Sequence, residues 1–196
     1  MAQGKIRRVI TGHDANGKAV VLEDGFAPAV RTNPHRPGHI SVDLWQTSDS
    51  PVVIEREEAD PTRGPKQIHP PAGGTVFRIS EVPPETEATR NITPEQAQAA
   101  FRHMGNEQAS TFSHNRRHPF MHRTESVDYA VVLEGEITML LDDSEVHLKT
   151  GDVVIQRGTN HAWSNRSGKP VRILYVLIDG EFDGELAARF KTGAGH

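Results

Sequence analysis

The sequence predicts an all-β fold, and three observations carry that expectation. Short strand-like runs follow one another from His118 onward. Turn residues separate them at close, even intervals. The first half adds more alternating runs and only one well-marked helix. Strands this short and regularly spaced read as a β-sandwich or barrel.

The elements follow in order. KIRRVITG and KAVVLEDG are strand-like, and DANG between them is a turn, so the chain opens on a hairpin. ISVDLWQT, residues 40–47, alternates as a strand. Residues 48–74 are rich in proline, glycine and charge and read as loop, with PVVIER as a short edge strand. TVFRISEV returns to strand character until Pro83 and Pro84 stop it. The helix begins at Thr93, an N-cap residue with Pro94 at the first helical position and Gln96 completing a capping box. Ala97, Phe101 and Met104 share one side at helical spacing, and Gly105 ends it. NEQASTFSHNRRH has no period and reads as loop. Six strands follow, SVDYAVVLEG, EITMLLD, EVHLKT, DVVIQRG, HAWSN and VRILYVLIDG, and GELAARF forms a last short helix.

Composition removes several functions. There is no cysteine, so disulfides, thiolate-ligated zinc and a thiol nucleophile are excluded. The net charge of −4 gives no electrostatic case for nucleic-acid binding. No run of eighteen apolar residues is present, and the start MAQGKIRRVITG lacks a signal peptide's apolar stretch, so a soluble cytoplasmic protein is expected. The eleven histidines raise the prospect of a metal site without locating it.

One constellation carries chemistry. Asp128 stands directly before the apolar run YAVVL, where an unpartnered carboxylate would cost several kcal/mol. Residues six apart on a strand share a face, so His122 and Asp128 point the same way if the intervening chain preserves parity. In GDVVIQRGTNHAWSN, Gly151 and Gly158 make turns that aim His161 back toward the same barrel mouth. Two imidazoles and one carboxylate form the facial set that holds Fe(II) with open positions. A dication there would make an inward Asp128 tolerable. The bland alternative is a polar mouth that is merely hydrogen-bonded. Trp163 shares parity with His161 and is expected to line the pocket, with Thr124 and Gln156 as polar groups orienting a ligand. Tyr129, Val131, Leu133, Leu140, Val154, Ile173 and Val176 are expected as packing. His118 reads as a solvated loop residue. His13, His35, His39, His69, His103, His147 and His196 read as surface or incidental.

Residues 118–180 resemble a cupin barrel. Gly135 matches the closing glycine of the first cupin motif, Asp128 its acid and His122 its first histidine. Gly151, Gly158, His161 and Asn165 match the second motif. The chain departs from the pattern in both motifs: Arg116 replaces the opening glycine of the first, Thr124 its second histidine and Asp128 its glutamate, while the second lacks its proline and is one residue shorter between Gly151 and Gly158. The resemblance implies one domain with a double-stranded β-helix, or jelly-roll barrel. Residues 1–112 would supply extra N-terminal strands, a long loop and a helix packed on it. Residues 113–180 would be the core and 181–196 a peripheral helix and tail. It implies one divalent ion on His122, Asp128 and His161, Fe(II) first and Mn or Zn otherwise. It also implies a homodimer with Trp45 near the contact. The expected activity is a metal-dependent oxidoreductase of dioxygenase type acting on a small oxygen-bearing organic molecule. The alternatives are a metal-assisted lyase or isomerase, and a non-catalytic small-ligand-binding barrel.

Overall fold

The computed structural model describes residues 4–191. Strands β1 (Arg7–His13) and β2 (Ala19–Phe26) form the opening hairpin as a separate two-stranded sheet. At its turn Asp14 accepts the backbone N–H groups of Asn16 and Lys18 through one carboxylate oxygen, and Gly17 takes φ 77°. Arg8 anchors the hairpin by donating to the Leu44 carbonyl and to Glu23 and Asp60.

Six strands make the main antiparallel sheet, in the order β3 (Ala29–Thr32), β4 (Ile40–Thr47), β5 (Thr75–Val82), β11 (Val171–Asp179), β6 (Ser126–Glu134) and β9 (Val153–Arg157). A three-stranded sheet of β10 (Ala162–Ser164), β7 (Glu136–Leu140) and β8 (Glu145–Lys149) faces it. Ala130, Val132, Ile137, Met139, Leu148 and Ile173 close the core between them. The added strand β5 pairs with β11 and β4 with β5, so the N-terminal half continues the wall of the barrel.

One helical turn, α1 (Glu87–Arg90), precedes α2 (Pro94–His103). Both halves of the expected capping box at Thr93 and Gln96 are present. Ala100, Phe101 and Met104 of this segment pack with Ala109 and Phe120 over one end of the barrel. The last helix is α3 (Gly184–Lys191). No helix among the described residues is long and apolar enough to cross a membrane.

Two expectations are corrected. PVVIER forms no strand, and Val53 and Ile54 are 71% and 79% exposed. The sheet edge beside β4 is taken instead by β3, a four-residue strand hidden between prolines. On β6 the core face is Asp128, Ala130 and Val132, so the period of two turns Tyr129 and Leu133 out to solvent rather than into packing. His196 lies outside the described residues.

Candidate functional site

The site begins with a backbone anchor. Met121, wholly buried with Leu140 and Ala162, fixes the segment before β6. His122 and His161 then exchange both backbone hydrogen bonds, each N–H donating to the other's carbonyl at 2.9 Å. This pairing sets the two rings side by side, with centroids 4.2 Å apart and planes inclined at 45°. Trp163, two residues along, meets His161 edge-on at 6.0 Å, and Phe101 covers His122 at 5.3 Å.

Both rings are fastened at Nδ1. His122 Nδ1 lies 3.0 Å from the Phe120 carbonyl, which makes it the donor and leaves Nε2 with the lone pair in the neutral ring. His161 Nδ1 has two suitors. The Thr159 carbonyl stands at 3.0 Å and Gln156 Nε2 at 2.8 Å, and one nitrogen cannot donate to the first while accepting from the second. The Gln156 amide is held by the 159 turn, its Nε2 donating to the Thr159 carbonyl and its Oε1 accepting from the Thr159 N–H and hydroxyl. Gly158 permits that turn with φ 59°. Burial depresses the His122 pKa to about 4. Burial, and then His122 itself, drives His161 well below the ordinary range. Both imidazoles are therefore neutral at neutral pH, the form that ligates metals.

Asp128 lies opposite Gln156 across the strands and is 6% exposed. Burial lifts its carboxyl to about 6, against the opposing hydrogen bond from Ser126. One oxygen, Oδ1, is buried with no hydrogen-bond partner.

His122, Asp128, His161 and Trp163 line one cavity of about 90 Å³. Among the described residues no three His, Asp or Glu side chains stand together as a group able to hold a metal. The structure thus brings the imidazoles into contact and places Asp128 on the same wall, apart from them. Thr124 and Gln156 do not line the cavity as expected. Thr124 shares a 2.8 Å hydrogen bond with the Ser126 hydroxyl beneath Asp128, and Gln156 braces His161.

Two histidines are corrected. His118 is buried rather than solvated, with Nε2 2.9 Å from Glu85 Oε1 and Nδ1 accepting the Phe120 N–H. His39 is buried and lines the cavity.

The sequence reading missed the cavity's cations. Arg36, Lys66 and Arg78 all face it. Arg78 had a legible signal: it falls on the inward parity of β5, between Val76 and Ser80. It donates to Asp43 at 2.5 Å and to the Gln67 carbonyl at 2.8 Å. Arg36 and Lys66 sit on loops, where no periodicity points inward.

The cupin domain model matches residues 110–177. Over 191 residues the chain is 34% identical to phomopsin biosynthesis cluster protein C' of Diaporthe leptostromiformis, covering 91% of this chain and 82% of that one. It is 28% identical over 180 residues to the cupin-domain-containing oxidoreductase virC of Hypocrea virens, covering 88% and 75%. It is likewise 28% identical over 180 residues to the cupin-domain-containing oxidoreductase fogC of Aspergillus ruber, covering 89% and 73%. The chain belongs to the cupin superfamily.

Proposed function

We propose that this cupin is an oxidoreductase of dioxygenase type that acts on a small oxygen-bearing organic molecule and uses one divalent metal, Fe(II) first. The observation that carries the reading is the pair of neutral, Nδ1-fastened imidazoles of His122 and His161, with the unpartnered oxygen of Asp128 in the lining of the same cavity. These donor types suit the set of two histidines and one carboxylate. The names of the relatives virC and fogC support the oxidoreductase reading. The bound ion would supply O₂ chemistry and polarisation of a substrate oxygen.

The chain's own residues supply the rest. His122 and His161 would hold the ion, with Asp128 as its carboxylate donor. The Thr159 carbonyl, held by Gln156, positions the His161 ring by accepting from Nδ1–H, which leaves Nε2 its lone pair. Phe101, Phe120 and Trp163 keep water from the cavity and present an apolar wall to the substrate. One observation favours a second reading, a metal-assisted isomerase or lyase. The Asp128 carboxyl, at about 6, can hold or release a proton near neutral pH at the cavity surface.

The test is elemental analysis of protein purified without a histidine tag, then Fe(II) reconstitution with oxygen uptake followed on candidate substrates. The expected result is close to one metal per chain, lost in His122→Ala and His161→Ala with the fold intact by circular dichroism. Protein that takes up no Fe(II), Mn(II) or Zn(II) refutes both readings. Metal binding unaffected by either histidine substitution refutes the ligand assignment.

A further inference from the structure

Besides the imidazoles, the cavity has three cations in its lining. Arg36 and Lys66, both half-buried, line it beside Arg78. Arg78 is matched by Asp43. Among the described residues Arg36 and Lys66 form no ion pair. Arg36 is placed instead by an aromatic ring, its guanidinium 4.4 Å over the centre of Phe120. That same residue's carbonyl holds His122 Nδ1, so Phe120 joins the cation and the imidazole in one rigid piece. Two further polar atoms in this lining are buried without partners, Ser41 Oγ on β4 and Asp128 Oδ1 on β6. Buried polar atoms without partners are rare in folded proteins, and two facing one cavity mark a place completed by a ligand.

We propose that the cavity takes a small organic carboxylate, its carboxylate held between Arg36 and Lys66 and its carbon skeleton directed toward His122 and His161. This rests on reading the cavity as the reaction site and names the substrate class for it. An anion supplies the direct ion-pair partner that neither cation has, since Glu85 and Asp43 act on Arg36 and Lys66 only at longer range. Burial depresses Lys66 to about 7 and Arg36 to about 10, so each holds its proton less firmly than usual and an adjacent negative charge would restore it. A planar guanidinium beside an ammonium matches a carboxylate. The Asp128 carboxyl on the same lining disfavours a dianion such as phosphate. Ile68, Met104, Phe120 and Leu177 give the remainder of the ligand an apolar surface. Both cations lie in the N-terminal half, outside the span that the cupin model matches. The metal donors lie within that span, so the determinant of substrate charge is separate from the proposed metal donors.

The experiment uses the full chain, stripped with chelator and then reloaded with redox-silent Zn(II). Benzoate, its neutral analogue benzamide and inorganic phosphate are titrated by calorimetry. Benzoate is expected to saturate, with benzamide and phosphate each weaker by about tenfold or more. Arg36→Gln and Lys66→Met should each weaken benzoate by about tenfold while zinc content is unchanged, and Arg36→Lys should recover part of the loss. Benzamide binding as tightly as benzoate overturns the proposal, as do phosphate binding tighter than benzoate, benzoate affinity unchanged in both variants, and the absence of saturation by benzoate or hexanoate at millimolar concentration. If Arg36→Gln fails to fold, Lys66→Met and the benzoate–benzamide comparison on the parent protein decide. His122→Ala separates the two readings. Zinc lost with benzoate retained upholds the carboxylate site and refutes the metal ligands. Zinc retained in the parent without preference for benzoate does the reverse.

Discussion

Asp128→Asn should stabilise the metal-stripped protein at neutral pH, although it removes a donor from the proposed site. The reason is the raised carboxyl. An ordinary aspartate titrates near about 3.9, and Asp128 at about 6. The folded protein therefore holds this proton more tightly than the unfolded chain. Unfolding releases it between about pH 4 and 6, so raising the pH across that window favours the unfolded chain, and the penalty is complete above about 6. At 1.36 kcal/mol per pH unit the penalty is about 3 kcal/mol. Asparagine keeps the shape and does not titrate. The variant should then exceed the parent by about 3 kcal/mol at pH 8, roughly 6–12 °C in Tm for a chain of this size, and by nearly nothing at pH 4. His122 runs the other way. Its folded value of about 4 means stability present above about 6.5 and lost as pH falls, again about 3 kcal/mol, with His161 adding in the same direction. In the parent the two slopes oppose each other; in the variant the acid loss emerges unmasked. Urea unfolding in chelator at pH 4.5, 6 and 8 measures all of this. A stability difference that is the same at pH 4.5 and pH 8, or a variant weaker than the parent at pH 8, would show that Asp128 is not a desolvated carboxylate. With metal present the sign should reverse, because the ion stabilises only the ionised aspartate; stability given up in the empty protein is what a binding site requires.

Three more outcomes follow from particular contacts. Gly158→Ala should destabilise by about 1–2 kcal/mol from its φ of 59° alone, with a further cost because the new Cβ meets Phe182 Cε1 at 2.6 Å; an unchanged urea midpoint would contradict the turn geometry. Gln156→Ala should weaken metal binding by about 10–100-fold in chelator competition, because Gln156 holds the 159 turn whose carbonyl accepts from His161 Nδ1–H; an unchanged affinity would show that the turn holds without it. Tyr129, Leu133, Val153 and Ile155 form an exposed apolar strip on β6 and β9, where Tyr129 lies opposite Ile155. We propose this strip, rather than the surface near Trp45, as the contact of the expected homodimer, so light scattering should give twice the chain mass and Ile155→Glu should return a monomer; a monomeric parent removes the expectation.

The strands were legible because alternation and turn residues agreed at nearly every step from Ser126 to Asp179. Helix α2 was legible because its cap is a local signal. What escaped had no period to read. β3 spans one short run between prolines, and α1 is a single turn. Bulk alone does not assign Tyr129 and Leu133 to a face: the register of β6 puts Ala130 and Val132 inside with the acid and turns the larger side chains out. At the site, the candidate donors were readable from motif spacing and strand parity, but their separation was not: Asp128 shares the wall without joining the imidazole pair. Arg36 and Lys66 were invisible for a different reason. A loop cation reads as solvated until the tertiary fold closes a cavity over it.

The separation of Asp128 from the imidazoles has a covalent explanation that can be tested. The cupin pattern carries glutamate at this position, and aspartate is one methylene shorter. Asp128 is fixed on β6 between its pairings with Gln156 and Leu177, so its carboxylate cannot advance by sliding the strand without turning the whole inner face of β6 outward. Asp128→Glu adds the missing reach on the side where the cavity offers room, so overpacking should be small. If Asp128 is the carboxylate donor, the longer side chain should tighten Zn(II) binding by about tenfold in chelator competition, with His122 and His161 still required. Weaker or unchanged binding would mean that the carboxylate does not approach the metal. The unpartnered Oδ1 of Asp128 would then belong to the substrate, alongside Ser41, and the proton it carries near neutral pH would become its function.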